Sequence, residues 1–322
     1  MIGRARTLFA GVIAALLFSV AAQAAPTGGC GSSVPRTAVI SAFAPEWQAL
    51  KAMVAKPKDC RIKGVTFITG RIEGRPVVVF LSGVSMTNAA MTTQLALDHF
   101  NIDQLVFSGI AGGADPSLTM GDVAVPEQWG EYLESNFARE APDGFHPMKF
   151  AKGDEFPNFG MIYPNGVLTG SDHQPFAYRF WFKADPALLD IARKAATEAK
   201  LRTCTASGEC LSHAPRVVVG GAGVSGPVFM DNAKFRDYVF ATFHAQVIDM
   251  ESAALAHVAF ANEKPFIVFR SLSDLAGGGE SPNQMRTFMD LASQNSAEVV
   301  RVFLKSLPSM SRPTKTLPPT KP

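Results

Sequence analysis

Charge is scarce in this chain: Asp, Glu, Lys and Arg make up 18% of its 322 residues, and 30 cations against 28 acids leave a formal net charge of +2. That balance supplies no basic footprint for a polyanion, so nucleic acid is excluded as an expected partner. Beyond the first 24 residues there is no apolar run long enough to suggest a membrane span. The glycine-rich stretch Gly109-Ile110-Ala111-Gly112-Gly113 is not followed by Gly-Lys-Ser/Thr, so it is no P-loop, and it lacks the spacing of a dinucleotide fingerprint. No cofactor is expected, and no metal. Cysteine is sparse as well, with four residues, no C-x-x-C pair and no histidine in register.

What is present begins with an address. Arg4 and Arg6 precede an apolar run from Leu8 to Ala22, and Ala22-Gln23-Ala24 offers small residues to a peptidase. Residues 1–24 read as a secretory signal peptide; a membrane anchor is the competing reading, for which the run is short. An exported chain with no membrane attachment after cleavage, periplasmic or secreted, is the expectation. Removing Arg4 and Arg6 brings the charge from +2 to zero, and setting aside Arg312, Lys315 and Lys321 of the tail leaves the folded part at about −3. In an oxidising compartment an even number of cysteines permits two disulfides. Cys204 pairs with Cys210 across the polar loop 205–209, leaving Cys30 for Cys60; zinc is the rival reading, without its usual ligand spacing.

With 47% hydrophobic residues the chain can bury the core of one large α/β domain or two smaller ones. Residues 25–35 form a flexible Gly/Ser/Pro lead. Thr37 to Ser41 is a short β-branched strand, and Pro45 suits the first turn of a helix, which sets Glu46 at its positive end. Strands are expected at 65–70, 71–73 and 76–82, a helix at 87–99, a buried strand at 104–109 that ends in the glycine stretch, and a further strand at 121–126. From Glu127 to Phe182 periodicity is weak and aromatic residues are dense, which reads as a lid or a subunit contact rather than disorder. A helix at 185–200 and a strand at 216–221 precede a turn-rich connection, 223–230, that presents Phe229; core packing is the plainer fate for a lone Phe. Pro265 to Arg270 is a strand that runs into Arg270-Ser271-Leu272-Ser273-Asp274 and three glycines. A helix at 295–307 precedes a disordered Pro/Thr/Lys tail, 308–322.

The stretch Val247 to Val258 is the most informative. It starts as an apolar strand and becomes an amphipathic helix, with Asp249 and Glu251 at the junction. A buried acid needs a partner, such as a ligand hydroxyl; alternatively, either acid caps the helix. Arg270 and Asp274 pose the same choice, between a site at the carboxyl end of a strand and a structural ion pair with a capped turn.

Asp249-Met250-Glu251-Ser252-Ala253-Ala254, Ser271-Leu272-Ser273-Asp274 and Gly109 to Gly113, in this combination, resemble the nucleoside phosphorylase superfamily, specifically its methylthioadenosine/S-adenosylhomocysteine nucleosidase branch. The chain also looks like the secreted plant proteins of the bark storage type, in Gly109 to Pro126, the Cys204–Cys210 loop and Phe229-Met230-Asp231-Asn232. The resemblance covers roughly residues 37–304. It implies a single-domain three-layer αβα sandwich with a central mixed sheet over residues 36–307, and a homo-oligomer. By the same resemblance Asp274 protonates N7 of a leaving adenine with Ser273 beside it, Glu251 holds the ribose hydroxyls, Met250 packs under the sugar, and Phe229, followed by Met230, stacks on the base. Ile110, Ala111 and Gly112 form a backbone wall; Glu46 polarises the attacking water and Arg270 orients it. Asp249 is left a structural role. The chemistry agrees, since N-glycosidic cleavage builds positive charge on the ribose and negative charge on the base.

Two departures stand out: Ile110 occupies a position where nucleosidases usually carry Ser, and Ala44 and Pro45 replace an acid-rich turn before Glu46. The resemblance points to hydrolysis of adenine-type nucleosides. Phosphorolysis is the alternative, although Phe107 stands where many phosphorylases place an Arg for phosphate. A nucleoside-binding or storage protein is the third reading, against which the joint presence of Glu46, Glu251 and Asp274 speaks.

Overall fold

The computed structural model describes residues 33–148, 156–279 and 282–308. The expected signal peptide, most of the lead including Cys30, and the tail from residue 309 lie outside them, as does the Cys30–Cys60 pairing. In chain order the elements are β1 (Arg36–Ser41), α1 (Ala44–Lys51), β2 (Ala55–Ile62), β3 (Val65–Ile72), β4 (Arg75–Leu81), α2 (Met86–His99), β5 (Ile102–Gly113), β6 (Val123–Val125) and β7 (Gln128–Glu131). Short strands follow: β8 (Ser135–Phe137), β9 (Arg139–Ala141), β10 (Gly144–His146), β11 (Ile162–Pro164), β12 (Val167–Thr169), β13 (Ala177–Arg179) and β14 (Trp181–Lys183). The chain then forms α3 (Pro186–Glu198), β15 (Val217–Val219), β16 (Ala222–Ser225), α4 (Ala233–Phe243), β17 (Ala245–Asp249), α5 (Ser252–Ala261), β18 (Phe266–Asp274) and α6 (Met285–Ser306).

One mixed sheet organises these elements, in the order β14-β7-β16-β17-β5-β1-β4-β3-β2, with β18 and then β6 and β15 branching from β5. Strands β1, β4, β5 and β18 run parallel, while β17 meets β5 antiparallel. Helices α1, α3 and α6 pack together in one layer, and α2 and α5 in another. Alternation along the sheet explains the layers: the Phe269 ring packs tilted against Phe303 of α6, centroids 5.1 Å apart, while the next residue, Arg270, reaches Ser252 at the start of α5. The central strands β1, β4, β5 and β18 are buried on both faces, and accordingly read as largely apolar runs rich in Val, Ile and Phe.

The glycines at 109–113 do not form the expected loop: they continue β5, where Gly113 pairs with Val247, and Gly112 with Ile248. Close packing explains the missing side chains, because a Cβ at Gly113 would lie 2.5 Å from Leu272 Cδ2. Likewise β18 runs on to Asp274, and 222–225 is the strand β16 rather than part of a turn-rich connection. Helix α6 begins ten residues earlier than 295, and neither β2 nor α4 was anticipated. The aromatic segment contributes its two ends, β7 and β14, to the sheet edge. Between them Phe156 and Phe159 pack on α4, through Phe243 at 5.1 Å and Phe235 at 4.7 Å. Cys204 and Cys210 form a disulfide. No described helix is long and apolar enough to cross a membrane.

Candidate active site

The carboxyl ends of β1, β5, β17 and β18 surround a cavity of about 220 Å³. Glu46, Glu251 and Asp274 line it, with Ser273 beside Asp274, and so do Ile110, Ala111 and Gly112 of β5. Phe229, Met230 and Met250 complete the expected set. Arg270 alone of the predicted residues is not on the wall. It lies fully buried behind it.

Glu46 answers both readings of its position. Its Oε2 accepts the N–H groups of Ala42 (2.7 Å) and Phe43 (3.2 Å), which caps α1; its Oε1 accepts the Ile110 N–H at 2.9 Å and lies 3.7 Å from Arg270 Nη1. Burial pushes its carboxyl above the usual range, against the pull of Arg270 and the three backbone donors. A Cβ at Gly109 would lie 2.2 Å from Arg270 Nη1 and 2.6 Å from Glu46 Oε1, so only glycine fits there.

Arg270 joins the acids to one another. Nε contacts Asp249 Oδ2 at 2.7 Å and donates to Ser252 Oγ at 3.0 Å; Nη2 donates to Glu251 Oε2 at 3.3 Å, and Nη1 to the Ile110 carbonyl at 3.1 Å. The guanidinium also lies 4.3 Å above the Phe107 ring. Asp249 accepts the N–H groups of Glu251 and Ser252 and the hydroxyls of Ser225 and Ser252. It is therefore the acid that caps the start of α5. Glu251 is released from that task and accepts, through Oε1, the Ser85 N–H at 2.8 Å. Ser85 holds a positive φ of 87°, an uncommon conformation for a side-chain-bearing residue, and this conformation aims its N–H at the cavity wall. Burial pushes Glu251 up to about 7, with Arg270 pulling down and Asp249 adding to the rise.

Asp274 ends β18. Its Oδ1 accepts the Ala276 N–H at 2.8 Å, and its Oδ2 accepts the Ser273 hydroxyl at 2.9 Å. Burial raises its pKa, favouring a retained proton. A Cβ at Gly112 would come within 3.1 Å of Asp274 Oδ1, so the glycine keeps the approach to this acid open. Phe229 is 55% exposed at the cavity mouth, which sets aside core packing as its role. The N–H groups of Ser85, Ala42 and Phe43 have no signature in the sequence, because every residue but proline carries such a donor; Ser225 acts through its hydroxyl on Asp249, and a single serine in a strand does not reveal its partner. Among the described residues no cluster of His, Cys, Asp and Glu could hold a metal ion.

A profile of the Phosphorylase superfamily matches residues 36–305, and the chain belongs to that family. Within it the chain falls in the methylthioadenosine/S-adenosylhomocysteine nucleosidase branch, whose class is the N-glycosidic bond hydrolases. It is 32% identical over 270 residues to the 5'-methylthioadenosine/S-adenosylhomocysteine nucleosidase of Geobacillus kaustophilus, covering 84% of this chain and 96% of that protein. Bark storage protein A of Populus deltoides is 29% identical over 258 residues, 77% of this chain and 80% of that one. Among solved structures, the nucleosidase of Colwellia psychrerythraea in complex with adenine superposes with a TM-score of 0.64 at 27% identity, covering 84% of this chain and 95% of that one.

Proposed function

We propose that this protein is an exported nucleosidase that hydrolyses the N-glycosidic bond of adenine-type nucleosides, of the methylthioadenosine or S-adenosylhomocysteine kind. The observation that carries the reading is the cavity wall: four carboxylates, Glu46, Asp249, Glu251 and Asp274, and no Lys, Arg or His among its residues. Acids on such a wall suit the positive charge that develops on the ribose, and the lack of a cation leaves phosphate without a counter-charge. The nearest cation, Arg270, already donates to Ser252, Ile110 and Glu251 and pairs with Asp249, and Phe107 occupies the place of a phosphate-binding Arg.

In this mechanism water attacks C1′ while the C1′–N9 bond breaks. Glu46 takes a proton from the water and Asp274 gives one to N7 of the departing base, so the adenine leaves neutral. Glu251 holds the ribose hydroxyls, Met250 packs under the sugar and Phe229 stacks on the base. Arg270 is a positioning residue, acting through Glu46 and Glu251. Export is supported by the features of residues 1–24 and by the Cys204–Cys210 disulfide, which suits an oxidising compartment. A homo-oligomer is part of the proposal, with the aromatic segment, where Phe137 and Phe176 are exposed, as its contact.

The test incubates the mature protein with methylthioadenosine, adenosine and inosine, with and without phosphate. Free sugar formed without phosphate is expected. Phosphate-dependent sugar 1-phosphate would replace this reading with phosphorolysis, and no turnover of any nucleoside would leave a binding or storage protein.

A further inference from the structure

At the opposite end of β1 from the active site, a second cleft of about 210 Å³ opens beside the sheet edge, and four cations line it: Arg36, Lys56, Lys58 and Arg71. Among the described residues none of the four makes an ion pair with an acid. Lysines on an outermost strand such as β2 commonly only deter edge-to-edge pairing. Arg36 does not fit that account, since it belongs to β1, in the interior of the sheet. Its Nη1 donates to the Val77 carbonyl, but its Nε is buried and has no acceptor. An unsatisfied buried donor on a charged group is costly, and burial, with Arg71 close by, pulls the Arg36 guanidinium below its usual range.

The local backbone is shaped to bring these charges together. The register of β2 against β3 shifts between Ala55 and Lys58, and Lys56 in this bulge has a positive φ of 54°. Bulges re-aim side chains. Across from it a Cβ at Gly70 would lie 2.4 Å from Val54 Cγ1 and 2.8 Å from the Ala55 carbonyl, so this glycine lets β2 close over β3. We propose that the cleft formed by Arg36, Lys56, Lys58 and Arg71 is an oxyanion site that takes a phosphate group, free or as a headgroup. It is separate from the catalytic cavity: β1 carries Arg36 at its start and leads into Ala42 at the cavity, a strand length of roughly 17–20 Å.

The test uses the full mature chain, with Lys58→Gln and Arg71→Gln as separate variants, both at exposed positions outside the catalytic machinery. In the first arm, calorimetry measures binding of inorganic phosphate against chloride at matched ionic strength, with saturating adenine present to fill the catalytic cavity. In the second, the protein is sedimented with phosphatidylcholine vesicles with and without phosphatidylglycerol. Each variant is expected to weaken binding roughly tenfold or more in at least one arm, the usual worth of a charged hydrogen bond, with kcat/KM for the nucleoside unchanged. The arm that responds identifies the source of the phosphate group. Equal behaviour of wild type and both variants in both arms, or chloride matching phosphate where no vesicle binding occurs, would overturn the site; nucleosidase turnover, read separately, reports on the catalytic assignment.

Discussion

Glu251 has its carboxyl pushed up to about 7 by burial, from an ordinary value of 4.5. Between those two values the folded protein holds a proton that the unfolded chain has lost, so this group's contribution to stability is full below about pH 4.5 and is lost as pH rises through about 7. Glu251→Gln should therefore flatten the pH dependence of Tm in the ligand-free protein between about pH 4.5 and 7, measured as the difference from wild type; parallel profiles would show that the shift is absent. Asp274 calls for a different measurement. Its raised pKa suits an acid that must hold a proton until the base departs, and Asp274→Asn removes that proton while keeping the shape. Turnover should fall by ~10²- to 10⁴-fold with the fold intact, whereas near-normal turnover would remove Asp274 from N7. Both acids were legible from motif resemblance. What separates Glu251 from Asp249 was legible only in part, since it rests on Asp249 spending its oxygens on Ser225, Ser252, Arg270 and the start of α5.

At the scale of elements, the site depends on strands that outlast their apolar runs. Gly109 to Gly113 holds three glycines and only one β-branched residue, Ile110, and Ser271 to Asp274 holds none, so both stretches read as loops; pairing between β5, β17 and β18 overrides that local preference. The extension matters because it places the Ile110 peptide between Glu46 and Arg270, donating to one and accepting from the other. Helix α4 was missed for a related reason: its run Ala233–Phe243 mixes aromatic and charged residues without a clean apolar stripe, and its stability comes from Phe156, Phe159 and Phe180 of the aromatic segment. Gly109→Ala tests the strand junction. The added methyl would displace the fully buried guanidinium or the Glu46 carboxylate, at a cost of about 1–3 kcal/mol in urea unfolding. Activity should drop far more than stability, because the displaced groups are those proposed to activate the water and to position that acid. Retained kcat would mean that the junction tolerates a shifted Arg270.

For the whole molecule, one sheet brings together acids that lie more than 200 residues apart in the chain, Glu46 after β1 and Asp274 at the end of β18, and both strands flank β5. The mixed sheet, its layers and the cavity at the strand ends follow from apolar runs and family resemblance; the branching at β5 does not, since it depends on which strand pairs with the second half of a twelve-residue element. The Cys204–Cys210 loop lies outside this frame. Its residues are largely exposed and none lines the cavity, so the bridge acts on the chain's stability and leaves the chemistry alone. Closing so short a loop, with a sequence separation of 6, restricts the unfolded chain by about 2 kcal/mol on the chain-entropy estimate. Cys204→Ser combined with Cys210→Ser should lower the urea midpoint by the corresponding amount while kcat/KM stays at the wild-type value. The same loss should follow when the wild-type protein is unfolded in reductant, and a midpoint indifferent to both treatments would mean that the native loop holds its shape without the bridge.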